Sequence, residues 1–214
     1  MKEEENVMAI YDIKRELKNL YAPANRAWDL LDVPEQQFLA IDGIGNPNTA
    51  DAYAGAVKAL YAVAYTLKFA NKNAGGRDFV VAPLEGLWTS DDPGAFTAGA
   101  KDSWRWTMLI SQPEWITEPM IHTAKEVALK KKKMPEISDV RHMVTHEGLC
   151  AQALHIGSYD EEAPLLAELH GPFFAARELD FNGLHHEIYI GDPRRTEPAK
   201  LKTVLRQPVR STRS

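Results

Sequence analysis

The sequence predicts an α+β fold made of two strand-helix-strand-strand modules. Strand-like runs and amphipathic helical runs follow one another in the same order in both halves of the chain. A strand followed by a glycine turn and a helix also recurs, with Ala-Ile-Asp-Gly-Ile-Gly at 40–45 and Ala-Leu-His-Ile-Gly at 153–157. We therefore expect a pseudo-twofold relation between the modules and a ligand groove along the seam where they meet.

We expect the chain to form a single domain. Its 214 residues, of which 44% are hydrophobic, suffice for one sizeable core. The predicted parts are an N-terminal helical extension at 8–34, a first module at 35–115, a connecting helix at 116–139 and a second module at 140–214.

In the first part of the chain, apolar residues at helical spacing predict a short helix at 11–21, and a strand follows at 35–45. A long amphipathic helix is predicted from about 49 to 73, where two glycines end it. Two strands at 79–89 and 103–112, joined by an Asp-Asp-Pro-Gly loop, complete the first module.

The second part repeats this order after a connecting helix that ends in four lysines, which is typical of a solvated helix C-terminus. A hairpin about Gly148 opens the second module. The predicted elements are a helix at 117–132, hairpin strands at 140–147 and 149–156, a helix at 160–177, and strands at 185–190 and 202–207.

Charge and composition restrict the class of protein. Lys and Arg number 25 against 30 Asp and Glu, a net charge of −5, whereas a protein that neutralises several phosphates is normally basic. No uncharged apolar run approaches the roughly 20 residues that span a bilayer. The N-terminus is acidic and Cys150 is the only cysteine. We expect a cytoplasmic protein that contacts neither nucleic acid nor a membrane.

The strand at 185–190 has two different faces. Alternation places His185, Glu187 and Tyr189 on one face, and His186 and Ile188 on the other. Glutamate is depleted in strands, so Glu187 either faces solvent or lies in a cavity where its pKa would be raised. Alternation alone leaves both possibilities open.

Tryptophans form a second candidate site. Trp104 and Trp106 share one face of their strand, and Trp88 is expected on the neighbouring strand. They fit core packing, and they equally fit a platform on which a planar ligand stacks. Gly86 is compatible with a bulge that re-aims Glu85 or Trp88.

Two further polar residues lie at predicted turns. Glu147 is at the tip of the predicted hairpin, and Tyr159 follows the second glycine turn. The acidic run at 160–162 fits the first turn of a helix, where it complements the dipole. Solvated turn residues would look the same, so both readings stay open at Glu147 and Tyr159.

No metal or cofactor is predicted. His142 and His146 would lie roughly 13 Å apart on a strand, too far for one ion. His185 and His186 point to opposite faces. Neither a glycine-rich phosphate loop nor a Gly-x-Ser-x-Gly nucleophile turn is present.

Four runs, taken in their order along the chain, resemble the GyrI-like small-molecule-binding family. The resemblance covers about residues 8–210. The runs are Phe-Leu-Ala-Ile-Asp-Gly-Ile-Gly at 38–45, Pro-Leu-Glu-Gly-Leu-Trp at 83–88, Glu-Gly at 147–148 with His-Ile-Gly-Ser-Tyr at 155–159, and His-His-Glu-Ile-Tyr-Ile-Gly-Asp-Pro-Arg-Arg at 185–195. It implies two modules with a ligand groove between them.

The resemblance also implies roles for residues. In related effector-binding domains, a glutamate of the penultimate strand lies on the pocket floor among aromatic rings, and Glu187 matches that position. The other ligand-binding candidates are Trp88, Trp104, Trp106, Glu85, Tyr189 and His185. Those regulators carry a separate DNA-binding domain, whereas here about 35 residues precede the first predicted strand of the modules, so we expect no direct action on a promoter.

Some stand-alone members of the family hydrolyse the cyclopropane of cyclopropanoid DNA-alkylating compounds, and this sequence is similar to that branch. By this resemblance Glu187 and Glu147 form a water-activating and proton-donating pair of unassigned roles, and Tyr159 donates a hydrogen bond. Two alternatives remain: sequestration of planar aromatic or cationic drug-like molecules without catalysis, and protection of gyrase through a protein contact. A homodimer is also left open.

Overall fold

A curved antiparallel sheet organises the chain in the computed structural model, which describes residues 9–91 and 100–213. The predicted Asp-Asp-Pro-Gly loop lies largely outside the described residues. The strands are β1 (Asp29–Val33), β2 (Gln36–Ile44), β3 (Leu84–Ser90), β4 (Trp104–Gln112), β5 (Arg141–Thr145), β6 (Gly148–Ile156), β7 (Leu179–Phe181), β8 (His185–Tyr189) and β9 (Lys202–Ser211).

Helices lie between these strands. A π-helical turn, Leu169–Phe173, joins the last two of them. The helices are α1 (Ile13–Glu16), α2 (Lys18–Tyr21), α3 (Asp51–Asn73), α4 (Glu118–Lys132), α5 (Ala163–Glu168) and α6 (Phe174–Arg177). Short 3-10 turns cover Lys101–Ser103, Pro135–Asp139, Tyr159–Glu161 and Pro198–Lys200. None of the helices in the described ranges is both long enough and apolar enough to cross a membrane.

The strand order is β1-β6-β9-β8-β3-β4-β2-β5, with β7 added beside β9. The first module contributes β3-β4-β2 and the second β6-β9-β8, so the two modules meet where β8 pairs with β3. The mixture of helices with an antiparallel sheet confirms the predicted α+β class. A rotational twofold between the modules stays a prediction.

The predicted hairpin about Gly148 is wrong. β5 pairs with β2, whereas β6 pairs with β1 and β9. Only His146 and Glu147 separate β5 from β6, so the joined ends lie within about 11 Å of each other. Six strand spacings of a flat sheet would separate them by about 29 Å. The sheet must therefore curl. The short connection places Glu147 beside β8 and β9 of the second module.

Three further predictions need correction. Residues 29–33, expected in a helical extension, form β1, which pairs with β6. The helix predicted at 160–177 is broken into α5, the π turn and α6, because Pro172 cannot donate a backbone hydrogen bond. The strand β7 was not predicted. Its three residues are too few for alternation to be visible.

Two groups of helices cover one face of the sheet, which we call the helix face. α3 packs its buried residues over β2 and β4, and the turns from α5 to α6 pack Leu169 and Phe173 near Leu205 of β9. Between these two groups lie β3 and β8, the strands at the seam. β3 and β8 therefore form the part of the helix face that lies between the two helical groups, and we call this region the groove.

Candidate functional site

The strand β8 sends alternate side chains to the two sides of the sheet. His186 and Ile188 are 1% and 0% exposed on the side away from α3, which we call the opposite face. His185, Glu187 and Tyr189 point to the helix face at the seam. The side chain of Glu187 keeps 16% of its surface exposed. Glu187 therefore lies on the floor of the groove, accessible without being fully solvated.

A chain of hydrogen bonds fixes Glu187. The indole N–H of Trp88 donates to the Tyr189 hydroxyl oxygen at 3.0 Å, and that hydroxyl donates to Glu187 Oε2 at 2.8 Å. Gly86 is paired with Glu187 in the register, and a Cβ there would lie 2.9 Å from Trp88 Nε1. A side chain at Gly86 would thus displace the residues that orient Glu187.

Aromatic rings line the first-module side of the groove. Tyr53, on the first turn of α3, stacks with Trp88 at 6.4 Å and meets Trp106 edge-on at 5.2 Å. Trp104 meets Trp88 edge-on at 5.6 Å. Trp106 and Trp88 are only 3% and 6% exposed. Tyr53 and Trp104 are half-buried, so the aromatic surface left open to a ligand is formed by these two rings rather than by a Trp104–Trp106 platform.

The second-module side contributes a phenol and a carboxyl group. The Tyr159 ring meets the Tyr189 ring edge-on at 5.6 Å. Burial, and then the charges of Glu162 and Glu187, raise the pKa of Tyr159 to about 12, so its hydroxyl keeps its proton at neutral pH. Tyr159 can therefore act as a hydrogen-bond donor to a ligand.

Glu162 is the second carboxyl group of the groove. It is 4% exposed, and its Oε1 atom has no hydrogen-bond partner within the described residues. Burial, followed by the negative charge of Glu187, raises the pKa of Glu162 to about 9. This raised pKa keeps Glu162 protonated at neutral pH, so its carboxyl group can donate a hydrogen bond or a proton.

The remaining strand residue on this face is His185. Its Nε2 lies 3.4 Å from Glu187 Oε1, on the side away from the Tyr189 hydrogen bond to Oε2. The structure thus brings together the side chains of Glu187, Tyr189, His185, Tyr159 and Trp88 on the helix face.

Glu147 and Glu85 lie on the opposite face instead. His186 Nδ1 is 3.0 Å from Glu147 Oε1, and His186 Nε2 is 3.0 Å from Glu85 Oε2. Arg206 Nη1 donates to Glu147 Oε2 at 2.9 Å, and the Tyr21 hydroxyl donates to Glu85 Oε1 at 3.0 Å. We call these five residues the buried ion network.

The buried ion network is internally compensated. Burial alone would raise the pKa of Glu147, but His186 and Arg206 hold it at about 2. Burial alone would lower the pKa of His186, but Glu147 and Glu85 raise it to about 9. The predicted Glu187–Glu147 pair is therefore divided by the sheet, and the geometry does not place Glu147 or Glu85 where Glu187 meets a ligand.

Sequence reasoning missed Tyr53 and Glu162. Tyr53 falls within the amphipathic helix predicted at 49–73, and Glu162 within the acidic run at 160–162, and neither context marks a binding residue. One signal was available: Tyr53 and Tyr159 both follow a glycine turn at the start of a helical segment, in the element that the two modules share. Nothing local distinguishes Glu162 from Glu161, because only packing buries one of them.

Two other cavities lie outside this site. One of about 500 Å³ is lined by residues including Arg26, His155 and Glu168. Another of about 410 Å³ is lined by residues including Asp42 and Arg105, whose charges are paired with Arg141 and Asp91. In residues 9–91 and 100–213 no three metal-binding side chains converge. The groove around Glu187 has the stronger chemical case, because it combines aromatic surfaces with an unpartnered buried carboxyl oxygen.

The chain is similar to several solved structures. A protein of uncharacterised function from Listeria innocua is 42% identical, with a TM-score of 0.86 over 94% of this chain and 100% of that one. A hydrolase from Listeria innocua is 41% identical, with a TM-score of 0.81 and the same coverage. The C-terminal domain of EcmrR, 11% identical with a TM-score of 0.57 over 86% of this chain and 98% of that one, shares the fold alone.

No curated protein matched the chain. The model of the GyrI-like small molecule binding domain, in contrast, matches residues 28–210, which include β1 to β8, all but the last residue of β9, and all helices from α3 onward. The chain belongs to the GyrI-like small-molecule-binding domain family.

Proposed function

We propose that this protein binds planar aromatic molecules in the groove of the helix face and hydrolyses cyclopropanoid DNA-alkylating compounds there. Membership of the family supports a small-molecule ligand, and one relative at 41% identity is a hydrolase. The observation that carries the proposal is the presence of two carboxyl groups in one groove, Glu187 as a hydrogen-bond acceptor and Glu162 as a protonated acid. Such a pair can supply both base and acid at one pH.

The groove fits a flat substrate. Tyr53 stacks on the buried Trp88 with an interplanar angle of 25°, and its half-buried ring offers an aromatic wall near Glu187. Stacking on such a wall would hold a planar ring system with its reactive edge toward β8. This arrangement suits fused aromatic dienones that carry a strained cyclopropane.

The reaction needs one water molecule. Glu187 takes a proton from the water, whose oxygen bonds to the strained methylene carbon. The carbon–carbon bond of the cyclopropane breaks, and its electron pair passes through the conjugated ring to the carbonyl oxygen. Glu162 gives its proton to that oxygen, which becomes a phenol, while the Tyr159 hydroxyl stabilises the developing charge by a hydrogen bond. The product is the substrate plus water.

Binding without turnover is the second candidate function. The Glu187 carboxylate beside the rings of Tyr53 and Trp88 favours a planar cation, through charge pairing and cation–π contact. A sequestering protein needs only this affinity, whereas a hydrolase also needs the protonated Glu162.

The test is turnover under substrate excess. A small amount of protein is incubated with an excess of a duocarmycin-like cyclopropanoid, and mass spectrometry follows the product that has gained one water. We expect product to exceed protein many-fold, and Glu187→Gln to slow it by about 10²- to 10⁴-fold. Glu126→Gln, on the exposed side of α4, is the matched control and should leave the rate unchanged.

Other outcomes separate the candidates. Depletion of ligand that stops at one molecule per protein, without hydrated product, would contradict hydrolysis and favour sequestration. If Glu187→Gln changed neither binding nor turnover, the groove assignment would be contradicted. A contact with a partner protein would then be the function to test.

A further inference from the structure

Both ring nitrogens of His185, on the groove floor, lack a hydrogen bond within the part of the chain that the structure describes. Both nitrogens are also shielded from solvent. The nearest polar group is Glu187, with Nε2 and Oε1 3.4 Å apart, and the contact lacks hydrogen-bond geometry. A small rotation of either side chain would close this distance to a hydrogen bond.

Leaving these nitrogens unpaired is costly. A buried polar group without a partner loses its hydrogen bonds to water and gains none in the protein, so such groups are rare in native structures and usually have a role. The adjacent His186 shows that the same fold can satisfy a buried imidazole, since both of its nitrogens are engaged at 3.0 Å. The difference indicates that His185 serves a step in which its hydrogen bonds change.

An outward path begins at His185. His170 lies on the π turn and is exposed. Partial burial of its ring, and then the nearby His185, lower the pKa of His170, which indicates that the two histidines are neighbours. The π turn arises at the Gly171-Pro172 interruption, and such turns occur often at functional sites. The order Glu187, His185, His170 therefore leads from the groove floor to the surface.

The proposed hydrolysis creates a need for such a path. After ring opening, Glu187 holds the proton taken from water, and Glu162 has given its proton to the product. The site is ready again only when Glu187 has released one proton and Glu162 has regained one. A ligand that stacks over Glu187 would block its direct exchange with solvent.

We propose that His185 relays the proton between Glu187 and the exterior by way of His170, an inference that rests on the proposed hydrolysis. Glu187 Oε1–H donates its proton to His185 Nε2, the imidazolium releases a proton from its other nitrogen toward His170, and solvent returns one proton to Glu162. At the end of the cycle Glu187, His185 and Glu162 have the same protonation states as at the start.

The groups that face His185 are few. On its own strand Glu187 is ionisable, and Tyr189 lies beyond it. The neighbouring strands contribute the uncharged Trp88 and Gln207 on the same face, and the π turn contributes His170. The pH profile of the relay therefore depends mainly on Glu187 and the two histidines.

The experiment compares His185→Gln with wild type in single-turnover and steady-state hydrolysis of the same cyclopropanoid. We expect the first turnover to be nearly unchanged and the steady-state rate to fall on the order of tenfold or more. Added imidazole should restore the rate, and the pH profile should lose one limb. His122→Gln, at an exposed position on α4, is the control and should show neither effect.

Each result decides between the two claims. If wild type turns over but His185→Gln keeps its steady-state rate, or loses it without rescue by imidazole and without a changed pH profile, the relay is overturned and the hydrolase stands. If wild type makes no hydrated product, both claims fall. His185→Asn serves as the second variant, should the glutamine variant not fold.

Discussion

Two adjacent histidines on β8 show two ways of burying an ionisable group. On the opposite face, His186 contacts Glu85 and Glu147, and Arg206 completes the charge balance. On the helix face, His185 has no hydrogen bond and Glu162 keeps an unpartnered oxygen within the described part of the chain. One residue of sequence therefore separates an imidazole whose hydrogen bonds are satisfied from one whose hydrogen bonds are not.

This difference separates buried polar groups that only stabilise the fold from those that are available for function. A fully paired buried network fixes the sheet and leaves no group free to react. Unpaired polar atoms at a groove cost stability, and a protein retains them where a ligand or a proton transfer uses them. The presence of a carboxylate is thus a weaker guide to function than the completeness of its hydrogen bonds.

The largest expected effect comes from breaking the satisfied face. Glu147→Gln removes the carboxylate that neutralises His186 and Arg206, and leaves positive charge buried. We expect the free energy of unfolding, measured by urea denaturation near pH 6, to fall by about 3–5 kcal/mol.

Glu187→Gln is the matched change on the other face. The amide oxygen can still accept the Tyr189 hydrogen bond, so we expect a loss of less than about 1 kcal/mol. Equal losses in the two variants would contradict the distinction between the faces.

Much of the fold could be predicted from the sequence, because its signals are local. Alternation gave the two faces of β8, and helical spacing gave α3 and α4 close to their observed bounds. The hairpin about Gly148 failed for a physical reason: a short turn between two strands usually joins neighbours, but here the curl of the whole sheet brings distant strands together.

The candidate site was harder to predict for the same reason. Glu187 and Tyr189 are neighbours on one strand, so alternation places them correctly. The partners of Glu147 depend on β9 and β8, which follow it by dozens of residues, and burial of Glu162 depends on the packing of α5 against the sheet. No local pattern encodes such contacts.

A smaller effect is expected from Gly86→Ala, which perturbs the orientation of Glu187 without changing any charge. The added methyl would lie 2.9 Å from Trp88 Nε1 and 3.2 Å from the Tyr189 hydroxyl oxygen, so one of these groups must shift. We expect a loss of about 1–3 kcal/mol together with weaker ligand binding, measured by urea denaturation and calorimetry. Gly171→Ala, where a Cβ meets nothing within 4 Å, is the control. Unchanged binding in Gly86→Ala would show that the Trp88–Tyr189–Glu187 chain does not orient the ligand.

The effect of replacing Glu162 should have the opposite sign. Burial, and then Glu187, raise the pKa of Glu162 from its usual 4.5 to about 9, so the folded protein holds a proton that the unfolded chain releases above about pH 4.5. The contribution of Glu162 to stability is therefore full below pH 4.5 and declines as the pH rises through about 9. Glutamine cannot ionise, so Glu162→Gln should match wild type near pH 4.5 and exceed it by about 1–2 kcal/mol at pH 8, while turnover falls.

Urea denaturation across this pH range measures the difference between Glu162→Gln and wild type. A gain that grows with pH would mean that Glu162 lowers the stability of the folded protein. A residue that is retained despite such a cost is expected to serve function, here in the groove. A variant that is less stable than wild type at pH 8 would instead assign Glu162 a structural role like that of Glu147, and the proton donor of the proposed reaction would have to be sought elsewhere in the groove.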